Sequence, residues 1–150
     1  MPLCVVHTNK ASETISDSTI KKLCQLVADA LGSNVSSVTV EMRSGKLMCR
    51  AGDPSKSWGF FELHGTNNFL DPKDTLAVGN KMFEFGVNEL DIPRNCLFVL
   101  MHEHDAKHVG IRDNQFLVDL PHYSNYVKPD YYKDLENRQL QSNPPALTAL

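Results

Sequence analysis

Gly32-Ser33-Asn34-Val35-Ser36-Ser37-Val38-Thr39-Val40 and Asp91-Ile92-Pro93-Arg94-Asn95-Cys96-Leu97-Phe98-Val99 play equivalent roles in two halves of one chain. Each closes a helical pattern and opens an apolar strand. Upstream of the first, Ser16 to Leu31 reads as a helix with Ile20, Leu23, Cys24, Val27, Ala30 and Leu31 on one face. Ser16 and Ser18 are its N-cap candidates and Gly32 its stop. Upstream of the second, Asp71-Pro72 supplies an N-cap and a first helical residue, and Leu76, Gly79, Phe83, Val87 and Leu90 form the apolar stripe.

Working outward, Leu3 to Thr8 is the strand before the first helix, and Trp58 to His64 the strand before the second, about 56 residues on. Val35 to Met42 and Cys96 to His102 are the strands that follow the two helices. Each half carries an extra short strand, Leu47-Met48-Cys49-Arg50 after the Ser44-Gly45 turn and a stretch ending in Phe116-Leu117-Val118. The fold class is therefore α+β: tandem β-α-β repeats forming a four-stranded mixed sheet with two helices on one face. Leu3–Val6 and Cys96–Met101 are apolar on successive residues, which predicts burial on both faces of the sheet. Two helices cover one face, so a second copy of the chain is expected on the other.

Composition agrees with one such domain. The chain has 150 residues, 41% hydrophobic and 22% charged, with net charge −3. That balance, without a basic run, argues against a nucleic-acid partner. No apolar run approaches the ~20 residues that span a bilayer, and membrane insertion is not expected. The N-terminus lacks the basic and apolar regions of a signal peptide, which points to a cytoplasmic location. Cys4, Cys24, Cys49 and Cys96 are dispersed, so four reduced, mostly buried thiols are expected rather than a disulfide framework or zinc site.

Pro2 directly precedes the first strand. Once the initiating methionine is removed, it would offer a secondary amine with a reference pKa near ~8. Burial in an apolar pocket lowers that value, which suits a general base at neutral pH.

The order Met1-Pro2, Thr8-Asn9, Leu31-Gly32, Leu47-Met48, Gly52, Asp53-Pro54, Leu63-His64, Val109-Gly110 and Phe116 resembles the macrophage migration inhibitory factor-type members of the tautomerase superfamily, relatives of D-dopachrome tautomerase. The resemblance runs from Pro2 to about Val118. It implies a tautomerase domain over residues 1–120, a homotrimer, and a pocket between subunits. The proline would be the base for keto–enol isomerisation of small enolisable carbonyl compounds such as phenylpyruvate or dopachrome, without a cofactor or metal. It also implies an alternative role, a cytokine-like protein with a cell-surface receptor, and release without a signal peptide.

The resemblance assigns the pocket to Pro2, Ser33, Thr66, Phe98, Leu100 and Phe116. A lysine is implied where Ser33 stands, a tyrosine at Phe98 and an asparagine at Leu100. Thr66 falls where a backbone amide is contributed, and Ile111 replaces an aromatic wall. Losing a charge-assisted anchor for a substrate carboxylate costs about 1.5–3 kcal/mol, roughly 10–150-fold in rate. Arg50, Lys107 and Arg112 are candidate replacement cations. The expected activity is accordingly weak or substrate-shifted.

Other patterns read as structural. His102-Glu103-His104, with His108 nearby, has two histidines on one strand face, a pattern metal sites use, yet it falls where the chain emerges toward solvent. His64 reads as a hydrogen-bonded structural residue, Trp58, Phe60 and Phe61 as core or interface, and Gly52-Asp53-Pro54 as a turn. Residues 121–150 form a C-terminal extension holding Tyr123, Tyr126, Tyr131 and Tyr132, read as a flexible tail or a docking segment.

Overall fold

The computed structural model describes residues 2–121. The tyrosine-bearing extension lies outside the described residues. Two compact units are present, Met1–Asp105 and a second that begins at Ala106.

The first unit runs β1 (Leu3–Thr8), α1 (Asp17–Leu31), β2 (Thr39–Arg43), β3 (Gly59–Gly65), α2 (Pro72–Asn88) and β4 (Leu97–Glu103). The sheet order is β2-β1-β3-β4, with β1–β2 and β3–β4 parallel and β1–β3 antiparallel. This is the tandem β-α-β arrangement read from the sequence, one parallel pair per repeat. The helix ends follow the sequence closely. Ser16, not Ser18, caps α1 by accepting from the Thr19 amide, and Gly32 ends it at φ 62°, the left-handed conformation that glycine adopts at least cost. Asp71 caps α2 with Pro72 behind it.

One core joins these elements. Cys4 and Val6 from β1 and Phe61 and Leu63 from β3 meet Leu23, Val27 and Leu31 of α1 and Val78, Met82 and Phe85 of α2. The buried stripe of α2 agrees with the sequence reading only in part: Gly79 and, just past the helix, Leu90 are buried as read, but Leu76 is 67% exposed, and Val78, Met82, Phe85 and Gly86 are buried. Gly79 and Gly86 explain the rotation. A β-carbon at Gly86 would stand 2.6 Å from Leu97 Cδ1, and one at Gly79 would touch Met101. The two glycines therefore let α2 lie close on β4, and that seating turns Val78, Met82 and Phe85 inward. Thr8, the buried polar residue of β1, is satisfied by donating to the Trp58 carbonyl at 2.8 Å.

Three further expectations change. Residues 47–50 form no strand; Arg50 makes only an isolated bridge to Asp53, and Leu47 is fully exposed. Val35–Ser37 is a 3₁₀ turn, so β2 starts at Thr39. In the second unit, β5 (Gly110–Arg112) pairs with β6 (Gln115–Phe116), and Leu117–Asp119 turns helically instead of extending the strand. No helix among the described residues is long and apolar enough to cross a membrane.

Met82 is fully buried in the core cluster that the strands and both helices share, and tests this core. Met82→Ala should lower unfolding stability by about 2–5 kcal/mol, read as a lower urea midpoint with an unchanged slope.

Candidate functional site

The residues around Pro2 are assembled at one end of the sheet. Pro2 is buried, and its carbonyl accepts from the Thr39 amide at 3.0 Å, extending the β1–β2 ladder by one step. Leu3 pairs with His64, so Pro2 lies level with the end of β3, where Gly65 leads to Thr66. Thr66 is buried at 4% exposure, and its amide donates to Asn68 Oδ1. Asn68 Nδ2 in turn donates to the carbonyl of Leu31, two residues before Ser33. Asn68 thereby ties the Thr66 loop to the end of α1, where Ser33 is half-buried with its amide bonded to Ala28. Sequence reasoning missed Asn68, which carries no local motif.

Glu103 completes this end. Its carboxylate accepts from three successive backbone amides, Asn67, Asn68 and Phe69. A carboxylate gathered by consecutive N–H groups is a charge-assisted clamp. The middle residue of the His102-Glu103-His104 triplet is therefore a loop anchor.

Phe98 and Leu100 stand elsewhere. β4 is two strands from β1, and Phe98 aligns through Phe60 with His7. His7 is five residues from Pro2, about 17 Å along a strand. Leu100 aligns through Glu62 with Val5. Within one chain, then, Pro2, Ser33 and Thr66 share one end of the sheet, and Phe98 and Leu100 do not join them. Phe116 belongs to the second unit, in β6, and is 45% exposed.

Phe98 and Leu100 lie instead on the sheet face that the helices leave uncovered, where they are 38% and 41% exposed. Three cross-strand rows run over this face: His7–Phe60–Phe98, Val5–Glu62–Leu100 and Leu3–His64–His102. The first is a ring stack, with centroids 4.2 Å and 4.6 Å apart. His7 Nε2 bonds Glu62 Oε2 at 2.6 Å, and this bond holds the Glu62 carboxyl below the usual carboxylate range. His64 stacks on His102 and its Nδ1 bonds His104 Nε2 at 2.8 Å. Burial, then the neighbouring His102 and His104, push the His64 imidazole below its ordinary value and favour its neutral form.

Beside the aromatic row lies a cleft of about 570 Å³ lined by Leu47, Cys49, Arg50, Trp58, Phe60 and Phe98. The Arg50 guanidinium sits 5.7 Å from the Trp58 ring and 5.8 Å from Phe98. Of the candidate cations, Arg50 is thus the one set against a site residue within the first unit. Trp58 is core, as expected, at 7% exposure, its indole N–H bonded to the Asp53 carbonyl.

The proline-led β1, the paired β-α-β units and the loop clamped at their open end define a protein of the tautomerase fold. Residues 1–116 match the family Macrophage migration inhibitory factor (MIF), and the chain belongs to it. It is similar to the macrophage migration inhibitory factor homologs of Wuchereria bancrofti and Brugia malayi, each 27% identical over 118 residues, 77% of this chain and 99% of theirs. Among solved structures it resembles macrophage migration inhibitory factor from Oncomelania hupensis, with TM-score 0.69 and 20% identity over 73% of this chain and 92% of that one. It also resembles the Trichinella spiralis protein, with TM-score 0.68 and 18% identity over 73% and 96%. At those identities the structural likeness speaks for the fold.

The four cysteines are free, but they are less uniformly buried than the sequence suggested: Cys4 and Cys96 are buried, Cys24 is intermediate and Cys49 is exposed. Burial, reinforced by Cys24, pushes the Cys4 thiol up to about 12. That shift keeps Cys4 in its protonated form at pH 8, while the thiolate is the reactive form. An aromatic disulfide reagent at that pH should modify Cys49 promptly and Cys4 only after denaturation, as mass mapping would record. For the Glu103 clamp, Glu103→Ala should raise amide exchange at residues 67–69 roughly tenfold, the equivalent of one charge-assisted bond, while β1 and β3 stay protected.

Proposed function

We propose that this protein is a Pro2-dependent tautomerase acting on small enolisable carbonyl compounds, with each pocket shared between two chains of a trimer. The observation that carries the reading is a proline at the buried head of β1 in a chain of this family. Freed by removal of Met1, its nitrogen would be a secondary amine in a low-dielectric setting, able to take a proton α to a carbonyl near neutral pH.

Separation along the sheet supports a pocket shared between chains, and the family resemblance supplies the number three. Phe98 and Leu100 are too far along the sheet to reach Pro2 of their own chain, yet both are exposed on the uncovered face, where another chain's Pro2 end can meet them. Such packing would also bury two large apolar side chains otherwise left in water. With serine, phenylalanine and leucine at positions 33, 98 and 100, the pocket lacks the implied lysine and two polar donors, and keeps Arg50, beside Phe98, as its nearby cation. It therefore favours apolar enols over carboxylate-bearing ones, and turnover of phenylpyruvate is expected to be slow. Those same three residues favour a second reading, a cytokine-like binding protein with a vestigial site that meets a receptor through the trimer surface. Action outside the cell belongs with that reading, and cytoplasmic residence with the first.

Ketonisation of phenylpyruvate enol should proceed faster with the wild-type chain than with Pro2→Gly, after mass spectrometry has verified loss of Met1. Equal rates would eliminate the catalytic role and leave the binding role. Ser33→Lys with Phe98→Tyr and Leu100→Asn should raise the wild-type rate by roughly 10–150-fold if the missing anchors limit it. Light scattering should return three times the 16.8 kDa chain mass; a monomer would exclude the shared pocket.

A further inference from the structure

We propose that Glu62, His64 and His102, on the uncovered face of the sheet, form a binding site for one divalent transition-metal ion of the zinc type. Neither the tautomerase reading nor the trimer is needed for it, since all three ligands come from β3 and β4 of one chain. His64 and His102 are cross-strand partners in the β3–β4 register, and Glu62 lies two residues before His64 on the same strand face. One potential ligand atom from each lies within 4.8 Å of the others. Two imidazoles and one carboxylate, with a coordination position left over, are a donor set that zinc and its neighbours accept.

The state of His102 supplies the independent argument. Its Nε2 is closed off from solvent and, among the described residues, has no hydrogen-bond partner. An unsatisfied ring nitrogen in that position carries a desolvation cost without a return. Its polar neighbour is Glu62 Oε1 at 3.7 Å, too far for a hydrogen bond. Ligands held ~2.0–2.2 Å from a tetrahedral zinc stand roughly 3.3–3.5 Å apart, close to that spacing. An ion between them would satisfy both atoms.

The surroundings are already arranged as an outer layer. His7 bonds Glu62 through Oε2 and leaves Oε1 directed at His102. His104 bonds Nδ1 of His64 and orients that ring. Partners of this kind commonly hold metal-ligating side chains in place. His7 and His104 are thus positioning residues.

The test is calorimetric titration of Zn²⁺ into the full chain in chelator-free buffer. Saturable uptake of one ion per chain is expected. His102→Ala and Glu62→Gln should each weaken it at least roughly tenfold, and His104→Ala roughly tenfold through His64. His108→Ala, in the second unit, should change nothing. Circular dichroism of each variant checks folding, and the wild-type chain gives a reading free of that concern: paramagnetic Co²⁺ should broaden the ring resonances of His64 and His102 ahead of those of His108. Absence of saturable uptake, unchanged affinity in folded His102→Ala, loss of uptake in His108→Ala, or broadening of His108 first would each overturn the proposal.

Discussion

A four-stranded sheet has two faces, and in this chain both helices pack on the same one. That asymmetry governs what each strand position can do. Cys4, Val6, Phe61 and Leu63 point into the helix-covered core and are almost wholly buried. The alternate positions, Val5, His7, Phe60, Glu62, His64, Phe98, Leu100 and His102, share the other side and must satisfy one another there. They do so by ring stacking and by a hydrogen bond between His7 and Glu62. The aromatic row, the histidine cluster and the exposed Phe98 and Leu100 are consequences of this one-sided cover.

The ends of the sheet differ in a second way. At the end where β1 begins, a tight loop follows β3, and its backbone N–H groups need acceptors. Glu103 and Asn68 supply them. Long-range polar contacts therefore hold the ground around Pro2, and apolar packing does so only in part. The loop at this end takes its shape from Glu103, a residue some 35 positions away in the sequence.

Much of the fold was legible because its signals are local. Ser16, Gly32, Asp71 and Pro72 act within a turn of their helices, and each does in the structure what its position predicts. Pairing that depends on distant partners was harder to read. Residues 47–50 look strand-like but have no neighbouring strand to bond with among the described residues, so only the Arg50–Asp53 bridge forms. Apolarity counts Leu76 and Val78 of α2 alike, while the seating of Gly79 and Gly86 on β4 separates them. His102 and His104 were legible as an i, i+2 pair, yet the carboxylate beside them in sequence anchors a loop, and the one beside His102 in space is Glu62.

The sequence by itself determined the repeat, the helix starts, the four strands of the main sheet and the family, because capping, period and order are written within a few residues of where they act. It also marked Pro2 and the positions that depart from the family's pattern. Only the tertiary structure decided that Pro2, Ser33 and Thr66 share one end of the sheet while Phe98 and Leu100 lie away from it. It alone brought Glu62, His64 and His102 together. The reason is register: strand pairing joins residues some forty to sixty positions apart, and a slip of one residue would send each of them to the opposite face.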